Sequence, residues 1–538
     1  MQGIRRTRTR RAGAALIAAL AAACLLVAQW SGEPSQAASA KPNIIVITTD
    51  DQTVRDMVAM PQTQAHLGVN GATFSNSFAS YPLCCPSRAT FVTGQYAHNH
   101  NVLGNTAPDG GYPMLNDKQT VPVWMQGAGY HTVHVGKMPN GYGDADQSYV
   151  PPGWRLPDGE FYGFVPDPPS AYYGFKLNEN GVVNQLPATD YQTDVYAERA
   201  NMAINSNLAL RPDTPLFMML QFFAPHDPAL PAQRHVGAFS TAQIPKGKSF
   251  NEKDVSDKPA WLRSTQRMGA GLIGKVMTRY RNRLASLLAV DEAVNSIVNN
   301  LLANGILDNT YIIFTSDNGF MQGQHRLHQG KFVAYDESSK VPLLIRGPGI
   351  VPGTISRELV SNVDLVPTVL DIGKGAPGIT VDGRSILPYA RDPRLRSKRP
   401  ILLETGRAIA LADPASGGGA GAAGKRSKIY VKNSDLDRTA QLSGRVIKLP
   451  KYRALRTRRY LLIKSSDGGR ELYDMPSDPL QIKSVWKDPR YAPVRKWMLK
   501  KLAKLTPCVG TACNAELGKP PKLLEKRKKG KAEKPKPG

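Results

Sequence analysis

Two pairs of polar residues supply oxygen atoms that could hold a metal ion. Asp50 and Asp51 directly follow the apolar run Asn43–Thr49, and Asp317 and Asn318 directly follow a similar run. Carboxylate and amide oxygens suit hard cations such as Ca²⁺ and Mg²⁺, whereas zinc sites use mainly Cys and His. Either pair alone could equally cap a helix or close a turn. Because both pairs end core-type runs, the sequence favours one shared site for a hard cation, Ca²⁺ or Mg²⁺.

Residues 84–94, with the sequence CCPSRATFVTG, place a cysteine, a proline and an arginine at fixed offsets. This segment resembles the signature of the type I sulfatases. The resemblance implies that Cys84 is not used as a thiol, because a formylglycine-generating enzyme oxidises it to formylglycine. The hydrated aldehyde of formylglycine is then the nucleophile. Pro86 suits the first turn of a helix, where backbone N–H groups favour an anion, and Arg88 lies one turn further on.

The same resemblance assigns roles to residues elsewhere in the chain. In type I sulfatases the Asp-Asp and Asp-Asn pairs hold the divalent metal, and the modified cysteine is a further ligand. This metal is usually calcium, so the resemblance implies Ca²⁺, with Mg²⁺ as the alternative. A lysine that contacts sulfate corresponds to Lys137, a histidine at the leaving-group oxygen to His226, and a lysine that assists the departing alcohol to Lys331. The implied catalytic residues are Cys84, Arg88, Lys137, His226 and Lys331, and the implied metal ligands are Asp50, Asp51, Cys84, Asp317 and Asn318.

A narrower resemblance points to a sulfated amino sugar as the substrate. Many type I sulfatases carry a histidine two residues after the lysine, but this chain has Pro139 there, which leaves the base of the elimination step open. The N-acetylglucosamine-6-sulfatases and heparan endosulfatases instead place an asparagine three residues after it, as Asn140 does. Residues 94–102, GQYAHNHNV, also resemble those enzymes. The substrate-binding residues implied by this comparison are His98, His100, Asn140 and His325.

Apolar runs that stop at polar clusters predict the elements that position these residues. Four near-continuous runs suit strands buried on both faces, at residues 43–49, 131–135, 216–223 and 311–316. A helical pattern at 280–302 lies between two of them. Such alternation predicts a doubly wound α/β domain whose ligands bind beyond the carboxyl ends of the strands. With the family resemblance, the expected fold is alkaline-phosphatase-like, with a large, mixed, mostly parallel sheet flanked by helices.

The domain prediction places the catalytic domain at residues 41–399 and a smaller C-terminal α+β subdomain at 400–515. Antiparallel strands are expected in this subdomain at 402–404, 452–464 and 471–474, a Gly/Ala-rich insertion near 415–424, and a closing helix at 497–505. Cys508 and Cys513 are close in sequence in an exported chain, so we expect them to form a disulfide. Residues 516–538 are basic and poor in apolar residues, which predicts a disordered tail.

The N-terminal residues indicate export. Residues 1–40 combine five arginines, an apolar stretch too short to span a bilayer comfortably, and a small-residue cleavage site. We therefore expect a signal peptide and a secreted protein without a transmembrane segment after cleavage, with attachment to the cell wall as an alternative. The formal net charge is +26, but no recognition motif accompanies it, so nucleic acid is not an expected partner.

Two other functions stay open on the sequence alone. Some hydrolases of phosphate or phosphonate esters belong to the same superfamily and also use formylglycine. A protein with this fold that is never matured would instead bind polyanions, with an unmodified Cys84 and salt-sensitive affinity. The complete set of Asp, Asn, Lys, Arg and His side chains favours the sulfatase. Aryl sulfates are the alternative to sulfated sugars as its substrates.

We predict formylglycine at position 84 of the protein secreted by its native host. The measurement is a mass spectrum of the tryptic peptide 56–88. Cys84→Ala is expected to abolish turnover while leaving the fold intact, since it removes only the nucleophile. An unmodified thiol in the exported protein, or near-normal turnover by the alanine variant, would contradict the covalent role.

Overall fold

Ten strands, most of them buried on both faces, form the large sheet of this protein. The computed structural model describes residues 41–166, 172–412 and 446–525. The strands of this sheet are β1 (Asn43–Thr49), β2 (Ala72–Phe78), β3 (His131–Lys137), β4 (Gly159–Val165), β5 (Lys176–Glu179), β6 (Val182–Gln185), β7 (Leu216–Gln221), β8 (Thr310–Ser316), β9 (Leu343–Arg346) and β10 (Thr354–Ser361). Their order is β10-β2-β9-β8-β1-β7-β3-β4-β5-β6.

The centre of the sheet is parallel. Strands β8, β1, β7, β3 and β4 are parallel to their neighbours in this group, as are β10 and β2 at one edge. Strands β9, β5 and β6 run antiparallel to theirs. The register pairs Thr49 with Ser316, and Gln221 with both Thr48 and Gly136. The central strands therefore end at one edge of the sheet, which confirms the predicted mixed and mostly parallel α/β fold.

Six helices of seven or more residues accompany the strands among the described residues. They are α1 (Cys84–Thr93), α2 (Val121–Gly127), α3 (Gln192–Leu210), α4 (Ala270–Ala303), α5 (Leu365–Gly373) and α6 (Ala492–Leu505), and shorter α-helices occupy Pro61–Thr63, Ala97–His100, Ala260–Arg263, Asp336–Ser339 and Leu387–Arg391. Alternate residues of β1 face opposite layers. Ile45 and Ile47 pack in one apolar cluster with α3 and α4, and Ile44 and Val46 pack in another with α2 and α5.

Helix α4 begins ten residues before the pattern that predicted it. The sequence pattern starts at Tyr280, whereas the helix starts at Ala270. The added turns contain Gly271 and Gly274, and the residues from 270 to 275 are exposed or half-buried. A helix segment without a buried face has no apolar periodicity, so the pattern could not reveal it.

A four-stranded antiparallel sheet follows the large one, as expected for the C-terminal subdomain. Its order is β11-β14-β15-β16. The strands involved are β11 (Ile401–Glu404), β14 (Tyr452–Arg456), β15 (Tyr460–Ser465) and β16 (Arg470–Asp474). A separate pair is formed by β12 (Ile409–Ala412) and β13 (Val446–Leu449). The run 452–464 is thus a hairpin of two strands. No helix of the described ranges is long and apolar enough to cross a membrane.

The structure bears on the predicted chain divisions mainly at the C-terminal tail. The described residues from Pro42 onward group into one compact unit, and the boundary at residue 400 between catalytic domain and C-terminal subdomain stays a prediction. The predicted tail begins too early, because Leu517 is buried and its N–H donates to the carbonyl of Lys398 at 3.2 Å. The predicted signal peptide, the predicted Gly/Ala-rich insertion and residues 526–538 lie outside the described residues.

Gly136, next to last in β3, marks a close approach of two strands. Its φ is +107°, and a Cβ there would lie 2.1 Å from the carbonyl oxygen of Gln221. Gly136→Ala is therefore expected to lower the free energy of unfolding by about 2–4 kcal/mol, from overpacking and backbone strain together. Urea unfolding measures this loss.

Gly274→Ala in α4 is the matched control for this substitution. Nothing lies within 4 Å of a Cβ at Gly274, and its φ is not in the left-handed region. Alanine at this position is expected to raise stability by about 0.5–1 kcal/mol, because glycine loses more backbone entropy in a helix. An unfolding midpoint of Gly136→Ala equal to that of the wild type would contradict the close approach of β3 and β7.

Candidate active site

The ends of the central strands and the start of one helix bring the predicted catalytic residues together. Asp50 follows β1, Lys137 ends β3, Asp317 follows β8, and Cys84 is the first residue of α1. His226 lies in the loop after β7. These residues, together with Asp51, Arg88, Asn318 and Lys331, are all at most 7% exposed. The structure therefore collects charged groups in a buried site at the carboxyl edge of the sheet.

Oxygen atoms from both polar pairs converge in this site. Carboxylate oxygens of Asp50, Asp51 and Asp317 all lie within 4.8 Å of one another. The backbone N–H of Asp51 donates to Asp317 Oδ1 at 3.1 Å, and Asn318 Nδ2 donates to Asp51 Oδ1 at 2.5 Å. Asn318 Oδ1 is buried and accepts no hydrogen bond from any described residue. Because an unpaired buried acceptor is costly, this donor set fits a hard divalent cation.

Three cationic side chains face the three carboxylates. Lys137 Nζ lies 2.5 Å from Asp50 Oδ2, and Lys331 Nζ lies 2.5 Å from Asp51 Oδ1. Arg88 bridges two acids, with Nη2 at 3.1 Å from Asp50 Oδ2 and Nε at 3.0 Å from a carboxylate oxygen of Asp317. Buried ions are stable only when paired and hydrogen-bonded. The cluster meets this requirement, because each of its three carboxylates is paired with at least one of the three cations.

The protonation of these groups follows from burial and from their neighbours. Burial alone would raise the pKa of Asp50, but Lys137 and the other nearby cations outweigh it and hold this pKa well below its usual range. Burial, and then the charge of Asp50, raises the pKa of Asp317 to about 6. Burial opposes the charge on Lys331, but Asp51 and its other acidic neighbours raise the pKa of Lys331 well above its usual range. Lys331 is therefore an ammonium group at neutral pH.

The Cys84 sulfur lies between a carboxylate and an ammonium group of this cluster. Cys84 Sγ is 3.6 Å from Asp50 Oδ1 and 2.7 Å from Lys331 Nζ. The adjacent Cys85 faces the other way: its backbone N–H donates to Asn105 Oδ1 at 3.0 Å, and its sulfur accepts a hydrogen bond from the backbone N–H of Asn140 at 2.9 Å. The two cysteines of the motif thus have separate surroundings, and Cys84 alone reaches the charged cluster.

His226 approaches the cluster from the loop after β7. Its Nε2 lies 3.9 Å from Asp51 Oδ2, and its Nδ1 lies 2.8 Å from the carbonyl oxygen of Asp227. Since a carbonyl only accepts, Nδ1 carries the hydrogen in this arrangement. The ring packs against Phe223 at a centroid distance of 4.7 Å, and the hydroxyl of Tyr172 donates to the His226 carbonyl at 2.6 Å. These contacts fix Nε2 toward the acidic residues.

Sequence reasoning missed two buried residues that hold the site. Gln221 Oε1 accepts from Arg88 Nη1 at 2.6 Å. Arg283 in α4 donates to the Asp51 carbonyl at 2.5 Å and to the Pro225 carbonyl at 3.1 Å. A signal was present for both, since Gln221 is the only polar residue in the run 216–223 and Arg283 interrupts the apolar face of a predicted helix.

Two predicted substrate-binding residues contact parts of the protein other than the acidic cluster. His98 Nδ1 lies 3.0 Å from both carboxylate oxygens of Glu404 in β11, and its Nε2 lies 2.9 Å from the Cys508 carbonyl. The sulfurs of Cys508 and Cys513 form a disulfide. His100 Nε2 lies 3.1 Å from the Thr90 hydroxyl, and burial lowers the pKa of His100 to about 4.

The other two such residues are also engaged by neighbours. Asn140 Oδ1 accepts from the Cys85 thiol at 3.3 Å. His325 is fully buried, with its Nδ1 at 2.6 Å from Glu252 Oε2 and its ring 4.4 Å from that of Tyr335. These contacts account for the positions of Asn140 and His325 within the fold. A role in substrate binding stays a prediction for all four residues.

A comparison with protein-family models decides which family this site represents. Residues 42–376 match the model described as Sulfatase. The chain belongs to the sulfatase family. It is therefore a sulfuric ester hydrolase, and the family's use of formylglycine and a divalent metal agrees with a cysteine placed beside three carboxylates.

Curated relatives of this sulfatase include enzymes named for two substrates. An arylsulfatase of Volvox carteri is 32% identical over 531 residues, which cover 91% of this chain and 78% of the relative. The N-acetylglucosamine-6-sulfatases of Capra hircus and Homo sapiens are each 36% identical and align with 66% of this chain. The sulfatase described here spans 64% and 65% of the lengths of these two relatives.

Solved structures show the same fold. A protein in complex with its substrate D-glucosamine-2-N,6-O-disulfate aligns with a TM-score of 0.69 and 24% identity, over 86% of this sulfatase and 97% of that chain. The phosphonate monoester hydrolase of Agrobacterium radiobacter aligns with a TM-score of 0.60 and 21% identity, over 86% and 95% of the two chains. The alkaline-phosphatase-like fold predicted from the sequence is thus confirmed.

Proposed function

We propose that this protein is a secreted sulfatase that removes sulfate from sulfated amino sugars such as N-acetylglucosamine 6-sulfate units. Its nucleophile is formylglycine made from Cys84, and its metal ion is Ca²⁺. One observation carries the proposal. Cys84 is the first residue of α1, and its sulfur lies within hydrogen-bond distance of Lys331 and next to Asp50, in a buried cluster of carboxylates and cationic side chains. An ordinary structural cysteine needs no such surroundings.

The residues of the acidic cluster fit the two groups that the proposal requires. Asp50, Asp51, Asp317 and the unpaired amide oxygen of Asn318 would hold the cation, with the modified side chain at position 84 as a further ligand. When bound, the cation supplies a Lewis acid that neutralises charge on sulfate oxygens, and formylglycine supplies a hydroxyl nucleophile. Asp50 stays ionised as a ligand because neighbouring cations hold its pKa low.

The protein's own cations supply the electrostatic part of the reaction. Arg88 is held by Asp50, Asp317, Gln221 and the Lys137 carbonyl, so its guanidinium is fixed before substrate arrives. Lys137 and Lys331 present ammonium groups on two sides of the cluster. Sulfuryl transfer resembles phosphoryl transfer, in which fixed charges that stabilise the transition state contribute most of the catalysis.

Two residues are placed to assist the leaving alcohol. Lys331 Nζ carries a proton and lies 2.7 Å from Cys84 Sγ, the atom whose place an oxygen takes in formylglycine. His226 directs Nε2 toward the same cluster, because its Nδ1 is bound to the Asp227 carbonyl. Lys331 can donate a hydrogen bond to an oxygen on which negative charge develops, and Nε2 of His226 can donate one when both ring nitrogens carry hydrogen. Pro139, where many relatives have a histidine, leaves the base of the second half-reaction unassigned.

The sugar and the secretion rest on similarity. The relatives from Capra hircus and Homo sapiens are named N-acetylglucosamine-6-sulfatases, and segment 94–102 with Asn140 matches that branch in sequence. A relative of 35% identity from Drosophila melanogaster is named an extracellular sulfatase. Residues 1–40 carry the composition of an export signal, which supports secretion of this protein as well.

Hydrolysis of phosphate or phosphonate esters is the second candidate function. The fold similarity to the Agrobacterium radiobacter phosphonate monoester hydrolase favours it over non-catalytic binding of polyanions. Turnover of N-acetylglucosamine 6-sulfate and N-acetylglucosamine 6-phosphate by the matured protein separates the two hydrolytic functions. We expect a higher kcat/KM for the sulfate ester, since the residues around Cys84 lie in the segment 42–376 that matches the sulfatase family. A preference for the phosphate ester would overturn the proposal.

Metal removal is expected to impair both activity and stability. Without a cation the carboxylates of Asp50, Asp51 and Asp317 face one another with less compensation. Resupply of Ca²⁺ at a hundred times its Kd should restore about 2.7 kcal/mol of stability. Sulfate release and Tm are measured after dialysis against a chelator, and again with Ca²⁺ or Mg²⁺.

The control for metal removal is Asp308→Asn, which changes an exposed carboxylate just before the start of β8, whereas Asp317 follows the end of this strand. This variant should respond to chelation as the wild type does, whereas Asp317→Asn should lose activity and most of the Ca²⁺-dependent rise in Tm. If chelation changes neither the activity nor the Tm of the wild type, this result would contradict a metal at this position.

A further inference from the structure

A second cavity, separate from the residues around Cys84, is lined by arginines. It has a volume of about 360 Å³ and lies where strands β2 and β10 meet the turn between β14 and β15. Its lining residues are Asn76, Arg357, Leu359, Arg396, Arg456, Thr457 and Arg458. Four of these seven carry a guanidinium, and none of these described residues is acidic. None of them belongs to the catalytic cluster.

Two of the four arginines form no ion pair with the described residues. Arg357 is exposed. Arg396 is also exposed, and its Nη1 donates to the carbonyls of Pro393 and Leu395, to the latter at 2.7 Å. Both guanidinium groups therefore keep donors available for a bound anion.

The other two arginines share their acids with further groups. Arg458 pairs with the buried Glu358, but this carboxylate also pairs with Arg384 at 3.2 Å. Arg456 pairs through Nη2 with Asp336 at 3.3 Å, and Asp336 also accepts from the side-chain amide of Gln481. The two acids that pair with these arginines, Glu358 and Asp336, are thus outnumbered by the cations, and neither of them lines the cavity.

Arg456 is the observation that points to a ligand. It is only 5% exposed, and its Nε and Nη1 have no hydrogen-bond partner among the described residues. Its guanidinium lies over the ring of Phe78, 5.3 Å from the centroid. A buried cationic donor left without an acceptor is costly, and an oxyanion in the cavity would supply that acceptor.

We propose that this cavity binds a sulfo group of a sulfated oligosaccharide, a group other than the one cleaved at Cys84. Guanidinium groups match the oxygen geometry of sulfate, and several of them converge here. The cavity is larger than a free ion needs and falls in the range of roughly 300–1,000 Å³ that holds small organic ligands. The choice of a carbohydrate carrier rests on the proposed function, whereas the oxyanion chemistry rests on the arginines alone.

The chain that joins the cavity to Cys84 sets an upper limit on the distance between them. Asn76 of the cavity precedes Cys84 by eight residues. Because a chain of eight residues spans at most about 29 Å, the Cα atoms of these two residues cannot be further apart than that. A sulfated oligosaccharide held at the arginines would therefore be retained near the active site, which lowers KM without changing the chemical step.

The test compares two substrates in three proteins. The substrates are an oligosaccharide with several sulfo groups and a monosulfated monosaccharide, and the proteins are the wild type, the double variant Arg357→Gln/Arg396→Gln, and the control Arg394→Gln. Arg394 is 89% exposed and pairs with Asp392 outside the cavity. We expect the double variant to raise KM for the oligosaccharide about five- to tenfold with kcat unchanged, and to leave the monosaccharide kinetics as they are. The control should change neither.

Binding to the inactive Cys84→Ala protein separates this proposal from the proposed function. Calorimetry with the same oligosaccharide, with and without the two arginine substitutions, requires no turnover. Weaker binding by the triple variant would support the cavity even if the wild type released no sulfate. Equal affinities of the two proteins would overturn the cavity, whatever the enzyme hydrolyses.

Inorganic sulfate is the probe that distinguishes a sugar from a free ion. If inorganic sulfate binds through the arginines while oligosaccharide affinity does not depend on them, the carbohydrate assignment is overturned. Arg456→Gln is expected to weaken oligosaccharide binding further than the exposed pair, since Arg456 is the buried donor. Because this buried substitution also affects folding, the double variant at the exposed positions decides the outcome on its own.

Discussion

Ionic groups removed from water must be paired, and the centre of this protein is arranged around that constraint. Asp50, Asp51 and Asp317 lie at the ends of central strands with almost no exposure. Such a group is stable only where cations and donors surround it, which Arg88 and the two lysines provide. The order of the sheet serves the same requirement, because the parallel neighbours β1 and β8 bring the residues after their carboxyl ends within hydrogen-bond distance.

Supporting residues keep the charged groups from rearranging. Arg88 binds four acceptors at once, one of them Gln221 from the adjacent strand β7. Arg283 reaches from α4 to the backbone of Asp51 and stacks over Phe320 at 4.7 Å. A site whose charges are fixed beforehand needs no reorganisation when charge develops on a sulfuryl group, which is the main source of catalysis in group transfers of this kind.

The small C-terminal sheet contributes to the catalytic domain in two places. Glu404 of β11 binds His98, in the segment just after helix α1, and the carbonyl of Cys508 binds the same histidine. At another place the turn after β14 brings Arg456 and Arg458 against the edge of the large sheet. The sheet therefore supports the segment after helix α1 and completes the arginine-lined cavity. The described residues from Pro42 onward form one compact unit, and the proposed substrate would contact both parts of it.

The sequence by itself determined the chemistry: a motif at 84–94 and polar pairs after apolar runs identify the family, the strands and the residues around the nucleophile. These features are readable because each depends on local spacing and burial period. Only the tertiary structure decided which distant residues support the site, such as Gln221 and Arg283. The tertiary structure also determined that an arginine-lined cavity exists, because its lining residues come from positions as far apart as 76 and 458. Apolar periodicity indicates that a residue is buried, but it does not indicate which residues of other elements it contacts. Those contacts depend on the order of the strands and on the paths of the loops.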